Sequence, residues 1–295
     1  MANEGRDLDY GCRSLLQKAV RRGQGELARK VAFHLWSDGF EEWLRTRTAV
    51  ILAEECWPLL GRWEPKMGIA EILDSLGTAA GAVKNKDAIA LEGLAYWVGE
   101  GEAVKLSKPW RSEIERFRAQ SMEGFWEWAK ANSENEEQAR LVGAAERLSH
   151  RGEDGLAKAS AWLAVRFGVP VVEAADAKLA MPLWVGLDKH TAEGKRALET
   201  GAWNAGLRDR LAMRASFWVE GVKLNMVADS ELWRERQRMS LAEEGMDEAG
   251  ANEVWTKLQP HYLSALRGPL AAFTTHVESL KEPAVQADQK QLGLF

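Results

Sequence analysis

Apolar residues recur at helical spacing along most of this chain. Cys12, Leu15, Leu16, Ala19 and Val20 follow the i, i+3, i+4 rhythm of one helix face, predicting a first helix that Asp7 or Asp9 would open. Gly23-Gln24-Gly25 breaks it. Leu27, Val31 and Leu35 share one side of a second helix, with Arg29 and Lys30 partly on another. Ser37-Asp38-Gly39 turns the chain. A third helix from about Glu41 to Cys56 would pack Leu44, Ile51 and Leu52 until Pro58 and Gly61 close it. Further helices are predicted at about 67–83, 87–98, 110–131, 134–150 and 154–167. The character changes at Gly168-Val169-Pro170-Val171-Val172, a β-branched run too short to anchor a sheet and read here as an extended connector. Pro182 and Gly186 prolong the irregular stretch. Helical patterning resumes near Thr191 and runs to about Lys281, with interruptions expected near Gly245, Pro260 and Pro269. No fixed-period repeat is visible, which disfavours a solenoid. The expected fold class is all-α.

Length and composition refine this picture. A chain of 295 residues can bury a large core, and the pattern suggests a first helical part at 1–105, a second at 106–281 and a flexible tail at 282–295. Hydrophobic content of 46% with 28% charged residues fits a soluble globular protein. No stretch approaches the roughly 20 apolar residues of a membrane span, and Met1 to Asp7 lack a signal peptide's apolar region. No membrane partner is expected. Cys12 and Cys56 suit a reducing cytoplasm, and both lie in apolar patterns where a buried thiol is the default. A net charge of −5 argues against wholesale coating of nucleic acid, so any DNA contact would be a local patch. Fourteen tryptophans are many for this length. Trp126 and Trp128 are a conceivable base-stacking platform, but residues two apart on a helix do not share a face, so core packing is the expected role.

The last residues carry the most specific signal. Gln291-Leu292-Gly293-Leu294-Phe295 follows the polar stretch from Glu282 to Lys290. This pentapeptide resembles the motif by which bacterial proteins dock on the replication sliding clamp, Gln-Leu-Ser/Asp-Leu-Phe, departing only at Gly293. The resemblance implies that Leu294 and Phe295 fill an apolar pocket, that Leu292 wedges the peptide, and that the Gln291 amide bonds at the pocket's edge. The competing reading is an apolar end that folds back on its own core.

A second likeness lies near the start. Ser14-Leu15-Leu16-Gln17-Lys18-Ala19-Val20-Arg21-Arg22-Gly23, the Asp38-Gly39-Phe40-Glu41 turn, Arg45-Thr46-Arg47 and Ala53-Glu54-Glu55 together resemble the C-terminal helical region of the RarA/MgsA family of clamp-loader-like ATPases. Ala88 to Trp97 is similar to a later helix of that region, so the resemblance covers about residues 9 to 100. It implies a collar-like oligomerisation module, associating with itself or with a separate ATPase. The ATPase's own phosphate loop is missing: Gly77-Thr78-Ala79-Ala80-Gly81-Ala82-Val83-Lys84 has the wrong spacing to cradle a nucleotide. No cofactor is expected.

Other chemistry is sparse. Lys18, Arg21, Arg22, Arg29 and Lys30 are the densest basic cluster, and Lys18, Arg22 and Arg29 would share a face able to meet DNA phosphates, a solvated face being the plain alternative. Asp188-Lys189-His190-Thr191, with Glu193 and Lys195, precedes a predicted helix. Thr191 or Asp188 would cap that helix, and Lys189, His190 and Lys195 are candidates to hold an anion there. The five histidines and two cysteines show no metal-ligand spacing, so no zinc site is expected. The reading is a non-catalytic, all-helical replication or repair protein bound to the sliding clamp, expected to be a homo-oligomer. The alternatives are a clamp-tethered DNA-processing enzyme built around Asp188 to Lys195, and a phage or plasmid protein that captures the host clamp.

Overall fold

The computed structural model describes residues 2–99, 108–222 and 226–283, and among these the regular elements are helices, joined by three isolated β-bridges. In chain order they are α1 (Ala2–Arg21), α2 (Gly25–Ser37), α3 (Glu41–Cys56), α4 (Ile69–Gly81) and α5 (Asp87–Gly99). There follow α6 (Lys108–Ala119), α7 (Phe125–Ala131), α8 (Glu136–Ser149), α9 (Asp154–Phe167), α10 (Ala192–Asn204), α11 (Asp209–Phe217), α12 (Glu231–Ala242) and α13 (Glu248–Ser279). Short 3-10 turns cover Trp57–Arg62 and Leu183–Leu187, and a π-helical turn, Trp218–Val222, extends α11. None of these helices is long and apolar enough to cross a membrane. Of the expected tail, residues 284–295 lie outside the described residues, and with them the expected clamp-docking residues Gln291, Leu292, Leu294 and Phe295.

Several helix boundaries differ from the sequence pattern: the stretch after Thr191 is divided, α10 ending at Asn204 and α11 beginning at Asp209. The helix expected over 110–131 is two helices, α6 and α7, because Gly124 enters at φ +76°, a conformation that side chains disfavour. The breaks expected at Pro260 and Pro269 do not occur: α13 runs through both. Each proline removes one helical hydrogen bond and costs about 3 kcal/mol. Both sit on the exposed face, while Trp255, Leu258, Tyr262, Leu266, Phe273 and Val277 bury the opposite stripe. That burial, at about 1.5–3 kcal/mol per large side chain, outweighs the two lost bonds.

The residues that predicted α1 form the middle of the core. Cys12, Leu15, Leu16, Ala19 and Val20 are fully buried, and α1 touches α2, α3, α4, α13 and the 183–187 turn. One continuous apolar cluster runs from Cys12 to Val277, drawing side chains from both sides of residue 105. Trp128 stacks near Trp162 at 5.0 Å and Trp126 packs on Phe125 at 4.8 Å, both partly buried against this core. The segment after α4 threads the centre in extended form, bridging Ala82 to Ala174 and Lys84 to Val227. The Lys84 ammonium is wholly buried and donates to the carbonyls of Ala79, Ala80 and Ala82 at 2.7, 3.0 and 2.5 Å, satisfying the open end of α4.

Thr191 caps α10, its hydroxyl accepting from the Gly194 amide at 3.0 Å. Gly194 lies so close under the preceding turn that a Cβ there would overlap the carbonyl oxygens of Leu187 and Asp188. Gly143 on α8 meets only a flexible Arg147 tip. We therefore expect Gly194→Ala to lose about 3 kcal/mol or more in urea unfolding and Gly143→Ala to be neutral or slightly stabilising; equal effects at the two sites would contradict the packing described.

Candidate functional site

The polar face of α1 carries Ser14, Gln17, Lys18, Arg21 and Arg22, which reach α3 and the second half of the chain. On α3, Glu55 is completely buried and is met by three partners. Arg21 Nη2 and Nε approach its Oε1 at 2.7 and 2.9 Å, the Gln17 amide donates to the same oxygen at 2.9 Å, and Lys86 Nζ holds Oε2 at 2.6 Å. Burial alone would raise the Glu55 carboxyl, but Arg21 and Lys86 outweigh it and hold it far below the usual carboxylate range. Gln17 also bonds Glu54 and accepts from Arg47.

Lys18 ties α1 to the second half of the chain. Its ammonium lies 2.5 Å from Asp188, 2.8 Å from Glu220 and 2.7 Å from the Ser14 hydroxyl, all but the last with almost no exposure. Burial works against ionisation of Asp188, yet Lys18 and His190 prevail and keep the carboxyl below its ordinary range. Asp188 Oδ2 meets His190 Nδ1 at 2.7 Å, and the imidazole itself stays 65% exposed. Arg22 donates to the carbonyls of Ala180 at 2.8 Å and Glu220 at 3.3 Å.

Over this network opens a cleft of about 520 Å³ between α1, α3, α12 and the π-helical turn. Six cationic side chains, Arg13, Lys18, Arg21, Arg47, Lys86 and Arg236, line it against two carboxylates, Glu54 and Glu220. Tyr10, Trp43, Phe217 and Trp233 supply aromatic walls. Arg13 lies over Phe40 and Trp43 at 4.3 and 4.9 Å, and the Nε atoms of Arg13 and Arg236 are buried without a hydrogen-bond partner. Such a cleft can accept an anion against an aromatic surface. The π-helical turn brings Glu220 and Gly221 to its wall, a distortion that recurs at functional sites.

The basic residues expected to face DNA are distributed differently. Lys18, Arg21 and Arg22 are buried and engaged by the chain's own carboxylates and carbonyls, so they do not form the open stripe expected with Arg29. Arg29 is exposed on α2, donates to the Leu73 carbonyl at 3.3 Å and packs across Gly77. Lys189 lies over the Phe217 ring at 4.6 Å, and Lys195 is exposed on α10. Of the whole expected set, the structure brings Lys18, Arg21 and His190 to one cleft. Sequence reasoning missed Arg13, Arg47, Lys86 and Arg236, whose convergence depends on four separate elements. It also missed a second gathering: Cys12, His34 and His276, expected to stand apart, meet where α1, α2 and α13 join.

Comparison with family models, with curated proteins and with solved structures finds no match.

A neighbouring cavity of about 720 Å³ shares Arg236 with this cleft and is lined by Glu92. Burial first, then Glu54 and Glu153, raise the Glu92 carboxyl from 4.5 to about 7, against the pull of Arg236. Between those values the folded chain holds a proton that the unfolded chain has released, so this group makes stability fall as pH rises from 4.5 to about 7. Glu92→Gln is expected to gain up to about 3 kcal/mol at pH 8 and nothing at pH 4. Urea titrations at the two pH values check this, and a gain of equal size at both would contradict it.

Proposed function

We propose that this chain is a non-catalytic accessory protein of DNA replication or repair that docks on the sliding clamp through Gln291, Leu292, Leu294 and Phe295. The observation that carries the reading is the match of Gln291-Leu292-Gly293-Leu294-Phe295 to the clamp-docking pattern. It is supported by the likeness of residues 9 to 100 to the collar region of clamp-loader-like ATPases, an independent signal for the same machinery. The described chain also reaches Glu282 at the surface, 72% exposed and paired with Lys30 of α2 at 2.6 Å.

In this reading the first part of the chain, residues 1–105, serves as a collar-like module in the cytoplasm, associating with further copies or with a separate ATPase. A short peptide in a pocket binds with Kd of about 1 μM, or about −8 kcal/mol. Because a clamp is a ring of repeated pockets, an oligomer of this chain would gain further by effective concentration. A phage or plasmid protein that captures the host clamp would use the same pentapeptide, and a replication assay with added protein separates recruitment from inhibition.

A clamp-tethered enzyme acting on DNA is the second reading, favoured by one observation. The buried Asp188 engages His190 Nδ1 at 2.7 Å beside the cationic cleft, as a carboxylate orients a general base. Among the described residues no hydroxyl or thiol bonds that imidazole, so the nucleophile in this reading is water. Turnover of primer-template DNA that disappears in His190→Ala would select it.

The clamp assignment is tested by calorimetry or surface binding of the full chain against its host clamp. Deleting residues 291–295, or pairing Leu294→Ala with Phe295→Ala, is expected to weaken binding about 100-fold or more. Unchanged affinity in both variants would end the proposal.

A further inference from the structure

Three helices bring together side chains that lie far apart in the sequence. Cys12 on α1, His34 on α2 and His276 on α13 each place one ligand atom within 4.8 Å of the others. Asp9, one turn before Cys12, lies 4.0 Å from His34 Nε2, and Asp38 lies 3.5 Å from Nδ1 of the same ring. Helix packing fixes this convergence. A Cβ on Gly11 would stand 2.6 Å from the Phe273 ring, so α1 and α13 meet at close contact there. His276, one turn beyond Phe273, shares that face of α13 and arrives beside Cys12.

The groups are poorly satisfied by one another. Nε2 of His34 and Nε2 of His276 are both buried with no hydrogen-bond partner, and the two rings meet edge to face at 5.0 Å. Each such orphaned atom costs about 1–3 kcal/mol. Cys12 is fully buried, with Asp9 and Asp38 close enough for their charges to act on its thiol. Two carboxylates and two unpartnered imidazole nitrogens around a thiol form an arrangement that a cation relieves.

We propose that Cys12, His34, His276 and Asp9 are the four ligands of a zinc-type divalent cation, with Asp38 orienting His34 through its other ring nitrogen. One thiolate, one carboxylate and two neutral imidazoles balance a doubly charged ion, so the loaded site carries no net charge into the interior. Thiolate and imidazole ligands select zinc over magnesium or calcium. Bonds of about 2.0–2.3 Å set tetrahedral ligands about 3.3–3.8 Å apart, so Cys12, His34 and His276, which lie within 4.8 Å of one another, would draw in by about 1 Å at most, and Asp9 would swing in from its place 4.0 Å from His34 Nε2. The Asp38–His34 contact is the carboxylate–imidazole pairing that accompanies metal-bound histidines. Binding releases the Cys12 proton to solvent. Four protein ligands leave no position for substrate, so the ion would act as a staple that fastens α13 to α1 and α2.

The test uses the untagged full-length chain, stripped with a chelator and titrated with cobalt(II) as a spectroscopic stand-in for zinc. One equivalent per chain is expected, with intense visible bands of tetrahedral cobalt and a near-ultraviolet thiolate charge-transfer band, both displaced by zinc. Cys12→Ser should lose the charge-transfer band, Cys56→Ser should keep it, and His276→Ala should weaken binding about 10-fold or more. Zinc should also raise Tm of the native chain and not of Cys12→Ser. A folded native chain that shows no charge-transfer band at excess cobalt overturns the proposal, whatever the variants do. So does a band that survives in Cys12→Ser.

Discussion

A fully buried carboxylate cannot stay ionised unless something answers its charge, and Glu55 sits at the point where this chain's helices must agree. Its two oxygens are shared among Arg21 and Gln17 from α1 and Lys86 from the extended segment after α4. Removing one partner from such a group costs about 3–5 kcal/mol, because the remaining charge stays buried without compensation. The register of α1 against α3, and the course of the chain through 84–86, are therefore set together. One turn earlier, Lys18 repeats the device with Asp188 and Glu220, joining the start of the chain to its second half. Apolar burial drives the collapse, and the buried charges specify which arrangement is reached.

This constraint also shapes what the molecule can do. The cationic cleft exists because the polar face of α1 must turn toward α3 and the π-helical turn, leaving Arg13, Arg47 and Arg236 around the gap. The opposite shoulder of α1 carries Cys12 to His34 and His276. One helix thus organises a charged cleft on one side and a thiol–imidazole cluster on the other.

The helices were legible because their apolar stripes are. Cys12, Leu15, Leu16, Ala19 and Val20 announce the buried face of α1, and Gly23, Gly39 and Gly168 mark real ends, each with positive φ. Pro260 and Pro269 misled because local propensity is weighed against a stripe of tertiary contacts only visible once α10 and α11 lie against α13. The basic cluster misled for a related reason. A run such as Lys18, Arg21 and Arg22 looks solvated until its partners are known, and these are Glu55, Asp188 and Glu220, far along the chain. The histidines and cysteines looked scattered because spacing rules describe ligands on one loop or helix, whereas Cys12, His34 and His276 come from three. Thr191 and Asp188 were readable, since capping is a local property of the turn.

The central claim is that Arg21 and Glu55 act as one unit holding α1 to α3. A double-mutant cycle with Arg21→Met and Glu55→Gln, followed by urea unfolding at pH 7, measures that coupling directly. An interaction energy of about 1.5 kcal/mol or more, with both single variants destabilised, is the expected result. Effects that simply add to within about 0.5 kcal/mol would show that the two residues are independent and that the buried charge does not organise the fold.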